Sequence, residues 1–469
     1  MAEASQTSRR PQSRRGANAL ARFVLFLSLS FALAFQPAMA QSILRDAETE
    51  ALFADMSRPL IEAAGLQPAN VDVVLIQDRS INAFVAGGQI VYLHSGLITA
   101  ADNANEVQGV IAHELGHITG GHILRFHDGV KMATGIMILS LVLGAAAMAA
   151  GAGDAGAGIL AAGQQAAIGK FLAFTRTQES SADQAGATYL TKAGISGKGS
   201  IAFFKKLQNQ EFRYAIPQED SYARTHPLTG ERIQALQAVY TAAETWDAKT
   251  DPALEARFQR VKAKLLGFVE DPKRTLQIYP ETDKTVPARY ARAYAWHKAA
   301  HPEKAMKEVD GLLAAAPDDP YFLELKGQVL LESGRPAEAL ESLRLAVARA
   351  PDQPLISALL GHALISTEKK ENFAEAKQVL RGAIGRDNDN PFAWYQLGIV
   401  YDREGDLGRA ALATAERYNL QGQPRLALAN AEQALRAIPT GTPDWLRAQD
   451  IAMVSRTEVE RSKGRDGRQ

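Results

Sequence analysis

The chain has no cysteine among its 469 residues. That absence excludes disulfides, thiolate catalysis and any zinc site built on cysteine sulfur, leaving His, Asp and Glu as metal ligands. Net charge is also lacking, since 52 Lys and Arg balance 52 Asp and Glu. Such a balance supplies no basic field for nucleic acid, which is not expected as a partner. Acidic residues are scarce in the first forty positions, where Glu3 stands alone against Arg9, Arg10, Arg14, Arg15 and Arg22.

That opening segment continues with an uncharged run of 13 residues, Phe23 to Phe35, and then Pro37-Ala38-Met39-Ala40. A basic region, an apolar stretch shorter than the roughly 20 residues of a spanning helix and an Ala-x-Ala site together predict a secretory signal cut after Ala40. The alternative is an uncleaved anchor, and the match to a twin-arginine signal is poor. Removal of the segment would take away five arginines and one glutamate, leaving a net charge of about −4. The expected location is the periplasm.

What the chain does contain is composition for a folded protein, 46% hydrophobic and 22% charged, at a length that calls for two or three domains. Residues 45–66 are expected to form a helix and residues 71–76 a strand. A second strand region runs through Ala83-Phe84-Val85 and Gln89 to Leu93; Gly87-Gly88 inside it suggests a bulge or close backbone approach. A helix from an Asn105 N-cap to about Arg125 follows.

That helix carries His113-Glu114-Leu115-Gly116-His117. Histidines four apart lie about 40° apart on one face and roughly 6 Å along the axis, so both can reach one ion. Glu114, rotated by about 100° from His113, can reach past the ion as general base toward a bound water. Val107, Val110 and Ile111 supply an apolar back, and Gly116 permits close packing. The bland alternative is two surface histidines on an amphipathic helix.

A third ligand is required for a catalytic zinc site. The position six after His117 is Ile123, which excludes the metzincin pattern; His122 lies about 140° round the helix and is rejected as a ligand. Glu179 and Asp183 are four apart on an expected helix. Glu179 as third ligand gives a His-His-Glu site with one open position, and Asp183 can support a ligand histidine. Otherwise this pair is a solvated acidic face.

Between these two motifs, Met132 to Gly153 and Ala155 to Gly169 are uncharged, with only Asp154 between them. One membrane crossing would put His113 and His117 on the side opposite Glu179. A helical hairpin contacting a membrane, or a segment covering the cleft, is compatible with one shared ion.

From about residue 285 the chain repeats. Pro317 and Pro351 are 34 apart, as are Pro320 and Pro354; Pro391 follows 37 later, with an insertion around Lys369-Lys370-Glu371. Trp394 to Tyr401 has the pattern of a first tetratricopeptide helix. Three clear units and a degenerate fourth ending near Pro439 are expected to stack as a solenoid. The anticipated domains are a catalytic unit at 41–250 (with its uncharged segment at 132–169), a helical connector at 251–284, repeats at 285–456 and a loose tail at 457–469.

The motif order resembles gluzincin-type metallopeptidases of the group containing HtpX, the CAAX prenyl protease and BepA. The resemblance rests on Asn82-Ala83-Phe84 with Gly87-Gly88, His113 to His117 with His122, Glu179-x-x-Ala-Asp183, and Thr225-His226-Pro227-Leu228-Thr229 with Arg232. It covers nearly all of the chain after residue 40. The resemblance implies an α+β gluzincin-type metallopeptidase domain followed by an all-α tetratricopeptide-repeat solenoid. It implies one Zn2+ held by His113, His117 and Glu179, with Glu114, Asp183 and His226 as catalytic residues. His226 would stabilise an oxyanion or occupy the open metal position and hold the enzyme latent. Arg232 would pair with a nearby acid, and Phe84–Leu93 would be an edge strand pairing with extended substrate. The implied partners are unfolded or stalled envelope proteins and the outer-membrane assembly machinery, the latter through the repeats.

Overall fold

The structure, a computed structural model, describes residues 42–150, 152–213, 226 and 230–466. The expected signal segment and its cleavage site lie outside these residues, as do the neighbours of His226 in its motif.

A four-stranded sheet has the order β1 (Ser42–Leu44), β2 (Asp72–Gln77), β4 (Ile90–His94), β3 (Ala83–Ala86). β2 and β4 run parallel, with Asp72 opposite Ile90 and Ile76 opposite His94. β3 and β4 form an antiparallel hairpin. Gly87 and Gly88 have φ of +62° and +102°, so they make its turn rather than a bulge inside one strand. The edge strand is therefore shorter than Phe84–Leu93: β3 is at the edge, while β4 lies inside the sheet.

The first core joins this sheet to helices on one face. Leu75, Val91 and Leu93 pack with Leu52, Met56 and Leu60 of the Ala47–Ala63 helix and with Val107, Val110 and Ile111 of the motif helix. Residues Ala104 to His117 are all buried, so the motif helix is a central strut rather than an amphipathic surface helix. Its N-cap is Asn103, whose side chain accepts from Glu106 N. Asn105 serves elsewhere: it donates to Ser196 O and accepts from Gly199 N, both at 2.8 Å. The helix ends at Thr119, not Arg125, because Gly120 caps it and Gly121 turns the chain at φ +61°.

The uncharged segment is a helical hairpin. His122–Ala149 runs out and Gly153–Lys192 returns, carrying Glu179 and Asp183 back to the motif helix. The stretch read as a connector contains helices Pro252–Val269 and Pro272–Ile278, and Phe258, Val261 and Leu265 of the former join the first core.

The solenoid contains successive helix pairs: 286–298 with 302–315, 320–332 with 336–349, 354–366 with 373–386, and 391–404 with 407–420. Pro320, Pro354 and Pro391 each open a first helix, where a missing N–H costs nothing. Gly327 and Gly361 recur at one repeat's spacing because Leu343 and Leu380 occupy the space a Cβ would need. The three-residue insertion forms a 3-10 turn at Lys370–Asn372. Pairing continues past Pro439. Helix 424–437 packs on Pro443–Asp466 through Ala431, Ala448 and Ile451, so the tail expected from residue 457 is helical to Asp466.

Charged groups join the first core to the solenoid. Glu48, 2% exposed, accepts from Tyr290 Oη at 2.7 Å and pairs with Arg260, which also donates to Asp319 at 2.6 Å. Glu48→Ala leaves Arg260 and Tyr290 without this acceptor. The expected loss is about 3–5 kcal/mol, the scale for breaking a buried pair. A thermal melt checks this; an unchanged midpoint would assign Glu48 no role at the junction.

Candidate metal centre

The site is set by two helices whose backbones touch. A Cβ on Gly116 would meet Ala182 O at 2.6 Å, and one on Gly186 would meet Ala112 O at 3.0 Å. Only glycine allows this crossing. It brings the 113/117 face of the motif helix against the 179/183 face of the returning helix.

Four side chains converge there. One donor atom each from His113, His117, Glu179 and His226 lies within 4.8 Å of all the others, and all four residues are buried. His113 Nε2 is 3.1 Å from His117 Nε2 and 3.3 Å from His226 Nδ1. Glu179 lies 3.4 Å from both His113 Nε2 and His117 Nε2, and 3.2 Å from His226 Nδ1. Four ligands at the zinc–nitrogen distance in a tetrahedron would stand about 3.3 Å apart. The donor set therefore fits a small divalent cation in both chemistry and spacing.

Three of the donors are supported from behind. Asp183 Oδ1 lies 3.0 Å from His113 Nδ1, within ion-pair range though not in hydrogen-bond alignment. Arg232 grips Asp183 with two hydrogen bonds, 2.7 and 2.9 Å, and reaches Glu179 at 3.2 Å. His122 Nδ1 stands 3.0 Å from His117 Nδ1. His122 is thus absent from the converging set but contacts a member of it. Its placement depends on the break at Gly120-Gly121, since an uninterrupted helix would have carried it round the axis.

Electrostatics follow from burial and the packed acids. Burial pushes the His113 imidazole down, but Asp183 and Glu179 outweigh it and raise it to about 10. His117, opposed by burial and the charges of His113 and His226, falls to about 2. Burial pushes the Glu179 carboxyl up, yet His113 and His226 hold it below the usual carboxylate range. Asp183 is likewise held low against burial by His113 and Arg232. Such a site favours an ionised Glu179 and an added positive charge.

Glu114 behaves differently. It is fully buried, and among the described residues neither carboxylate oxygen has a hydrogen-bond partner. Oε1 lies 3.5 Å from His226 Nε2, and burial raises the carboxyl. A buried carboxylate in this condition is costly unless its function needs a free acceptor.

All the residues selected from the sequence thus meet at one place: His113, His117 and Glu179 with His226 as a fourth donor, Glu114 beside them and Asp183 behind. Sequence reasoning missed the contact of His122 with His117 and the close approach at Gly186. The glycines at 120, 121 and 186 were the available signals.

This fold and donor set define a metallopeptidase-type domain joined to a tetratricopeptide solenoid. Residues 24–240 match the model of Peptidase family M48. The chain is similar to the Beta-barrel assembly-enhancing protease of Escherichia coli, 28% identical over 54% of this chain and 52% of the relative. It is also similar to Metalloprotease LoiP of Escherichia coli, 32% identical over 36% of this chain and 62% of the relative. The chain spans about half the length of the beta-barrel assembly-enhancing proteases it matches. Among solved structures, the tetratricopeptide protein YrrB is similar at 21% identity and a TM-score of 0.31, covering 37% of this chain and 91% of that one.

Gly116→Val would push a side chain into the backbone at Ala182. Overpacking of this kind costs about 1–3 kcal/mol. A lower thermal midpoint and lost zinc retention are expected. Gly385→Ala, where a Cβ meets nothing within 4 Å, should be neutral. Equal effects of the two changes would contradict the role of the crossing.

Proposed function

We propose that this protein is a zinc-dependent endopeptidase of the bacterial cell envelope. It degrades misfolded or stalled outer-membrane proteins and assists their assembly through its repeats. The observation that carries this reading is the four-donor cluster beside the buried Glu114, whose carboxylate accepts no hydrogen bond among the described residues. The relatives' printed names supply the setting of β-barrel assembly.

In this reading His113, His117 and Glu179 hold the zinc ion, with Asp183, Arg232 and His122 orienting them. Bound zinc would supply an electrophile that polarises the scissile carbonyl and acidifies a water. Glu114 takes the proton and returns it to the departing amine, a task suited to a buried carboxyl with two acceptor oxygens. His226, beside both Glu114 and the donor set, is placed to stabilise developing negative charge at the carbonyl oxygen. An extended substrate adds to the outer edge of β3 and so lies over the motif helix. The expected location is the periplasm.

A second reading has its own support. His226 Nδ1 stands among the donors and can fill the fourth position. The centre would then be latent and the solenoid would act as a chaperone or adaptor.

Glu114→Gln separates the two. It should keep its metal and lose casein cleavage by about 10²–10⁴-fold, the usual worth of a general base. Retained cleavage would refute Glu114 as the base. If client assembly survives Glu114→Gln but not removal of residues 285–469, the adaptor reading holds instead. His226→Ala distinguishes its two roles: faster cleavage than wild type marks a closing residue, and slower cleavage marks a stabilising one.

A further inference from the structure

The hairpin beyond the metal centre has a surface that the peptidase reading does not use. Its outgoing helix, His122–Ala149, buries only His122, Gly129, Ser140 and Gly144. Gly129, Ser140 and Gly144 face the returning helix. A Cβ on Gly163 would meet the Ser140 side chain, one on Gly144 would meet Leu160, and one on Gly129 would meet Phe174. Two helices thus pack closely along a stripe of small residues, as helices do in lipid. Large apolar side chains cover the remaining surface: Leu124 is 84% exposed, Leu141 59% and Val142 60%.

This apolar surface runs round the helix. A protein groove would select one stripe, leaving a polar face toward water; a helix apolar all round belongs in a core or a membrane. Here the surface is outside the core. The outgoing helix is long and apolar enough to cross a membrane by length and composition.

Charge gives the surface a direction. Phe126 packs on Phe171 and Gly129 on Phe174, which places Lys131 near the level of Lys170 and Arg125 near that of Arg176. All four cations are exposed. From Met132 to Ala150 the sequence holds 19 residues without charge, about 28 Å of helix, close to the thickness of a hydrocarbon core. Asp154, exposed, stands at the turn. Four cations at the base, with the exposed Asp128 among them, an uncharged shaft and one acid at the tip match an anionic headgroup layer, acyl chains and the far headgroup layer.

We propose that the hairpin 122–176 inserts tip-first into an anionic phospholipid bilayer. Both arms enter and leave by one side, so His113, His117 and Glu179 stay together at its base. The metal centre would then be held beside the membrane surface, where its substrates would be proteins at that surface.

The absence of cysteine makes the test local. A single Leu141→Cys substitution in the full chain carries an environment-sensitive fluorophore; Leu446→Cys, on a solenoid helix and 50% exposed, is the control. Vesicles contain equal parts phosphatidylethanolamine and phosphatidylglycerol, with or without bromines midway along the acyl chains. The proposal expects a blue shift and bromine quenching at position 141 and neither at 446, whatever the N-terminal apolar run does. It also expects substitution of Arg125, Lys131, Lys170 and Arg176 by Gln to weaken the signal at 141. Absence of quenching at 141 overturns the proposal. So does a concentration-dependent blue shift at 141 without vesicles, which would mean that a second copy covers the hairpin.

Discussion

The contact between the motif helix and the helix carrying Glu179 is the constraint on which the rest depends. Two glycines, 116 and 186, let backbone meet backbone. The distances from Glu179 to His113 and His117 follow from that approach, because the two histidines project from one helix and the carboxylate from the other, while His226 joins them from outside both helices. Asp183 and Arg232 then lock the pair electrostatically. Placing an ionised Glu179 among imidazoles without water is expensive, and burial alone would raise its carboxyl. The facing histidines reverse that shift, so the site is organised around positive charge before any substrate arrives.

The returning helix also connects distant parts of the structure. Over 40 residues it descends from the apolar tip, passes the basal cations and delivers Glu179 and Asp183 to the motif helix. The motif helix packs against the Ala47–Ala63 helix, whose Glu48 is gripped by Arg260 and Tyr290 at the start of the solenoid. The donor cluster is therefore linked to the apolar hairpin through the returning helix and to the solenoid through the Ala47–Ala63 helix.

Much of this was legible in the chain because its periodicities are local. The four-residue spacing of His113 and His117 predicts a shared face whatever surrounds the helix, and the 34-residue proline period predicts helix pairs. The rest depended on tertiary partners. Asn103 and Asn105 are equally good caps by type; Asn105 is taken by Ser196 and Gly199, which no local pattern reveals. Gly87-Gly88 in a strand pattern suggests a bulge or a close backbone approach, although strand residues on both sides also fit a hairpin, and the positive φ angles decide for the turn. The helix was carried past Gly120-Gly121 because a helix-compatible sequence resumes at His122, which hid the approach of His122 to His117. The charge of residues 457–469 suggests a loose tail, while the apolar residues that anchor the helix running into it lie earlier, at Ala448 and Ile451.

The central claim is that His113, His117 and Glu179 form a zinc centre. Zinc content per chain, measured by atomic emission on wild type and on Glu179→Ala of equal helical content, tests it most directly. One equivalent in the wild type and little in the variant is the predicted result. Equal zinc in both proteins, or none in the wild type after zinc loading, would contradict it.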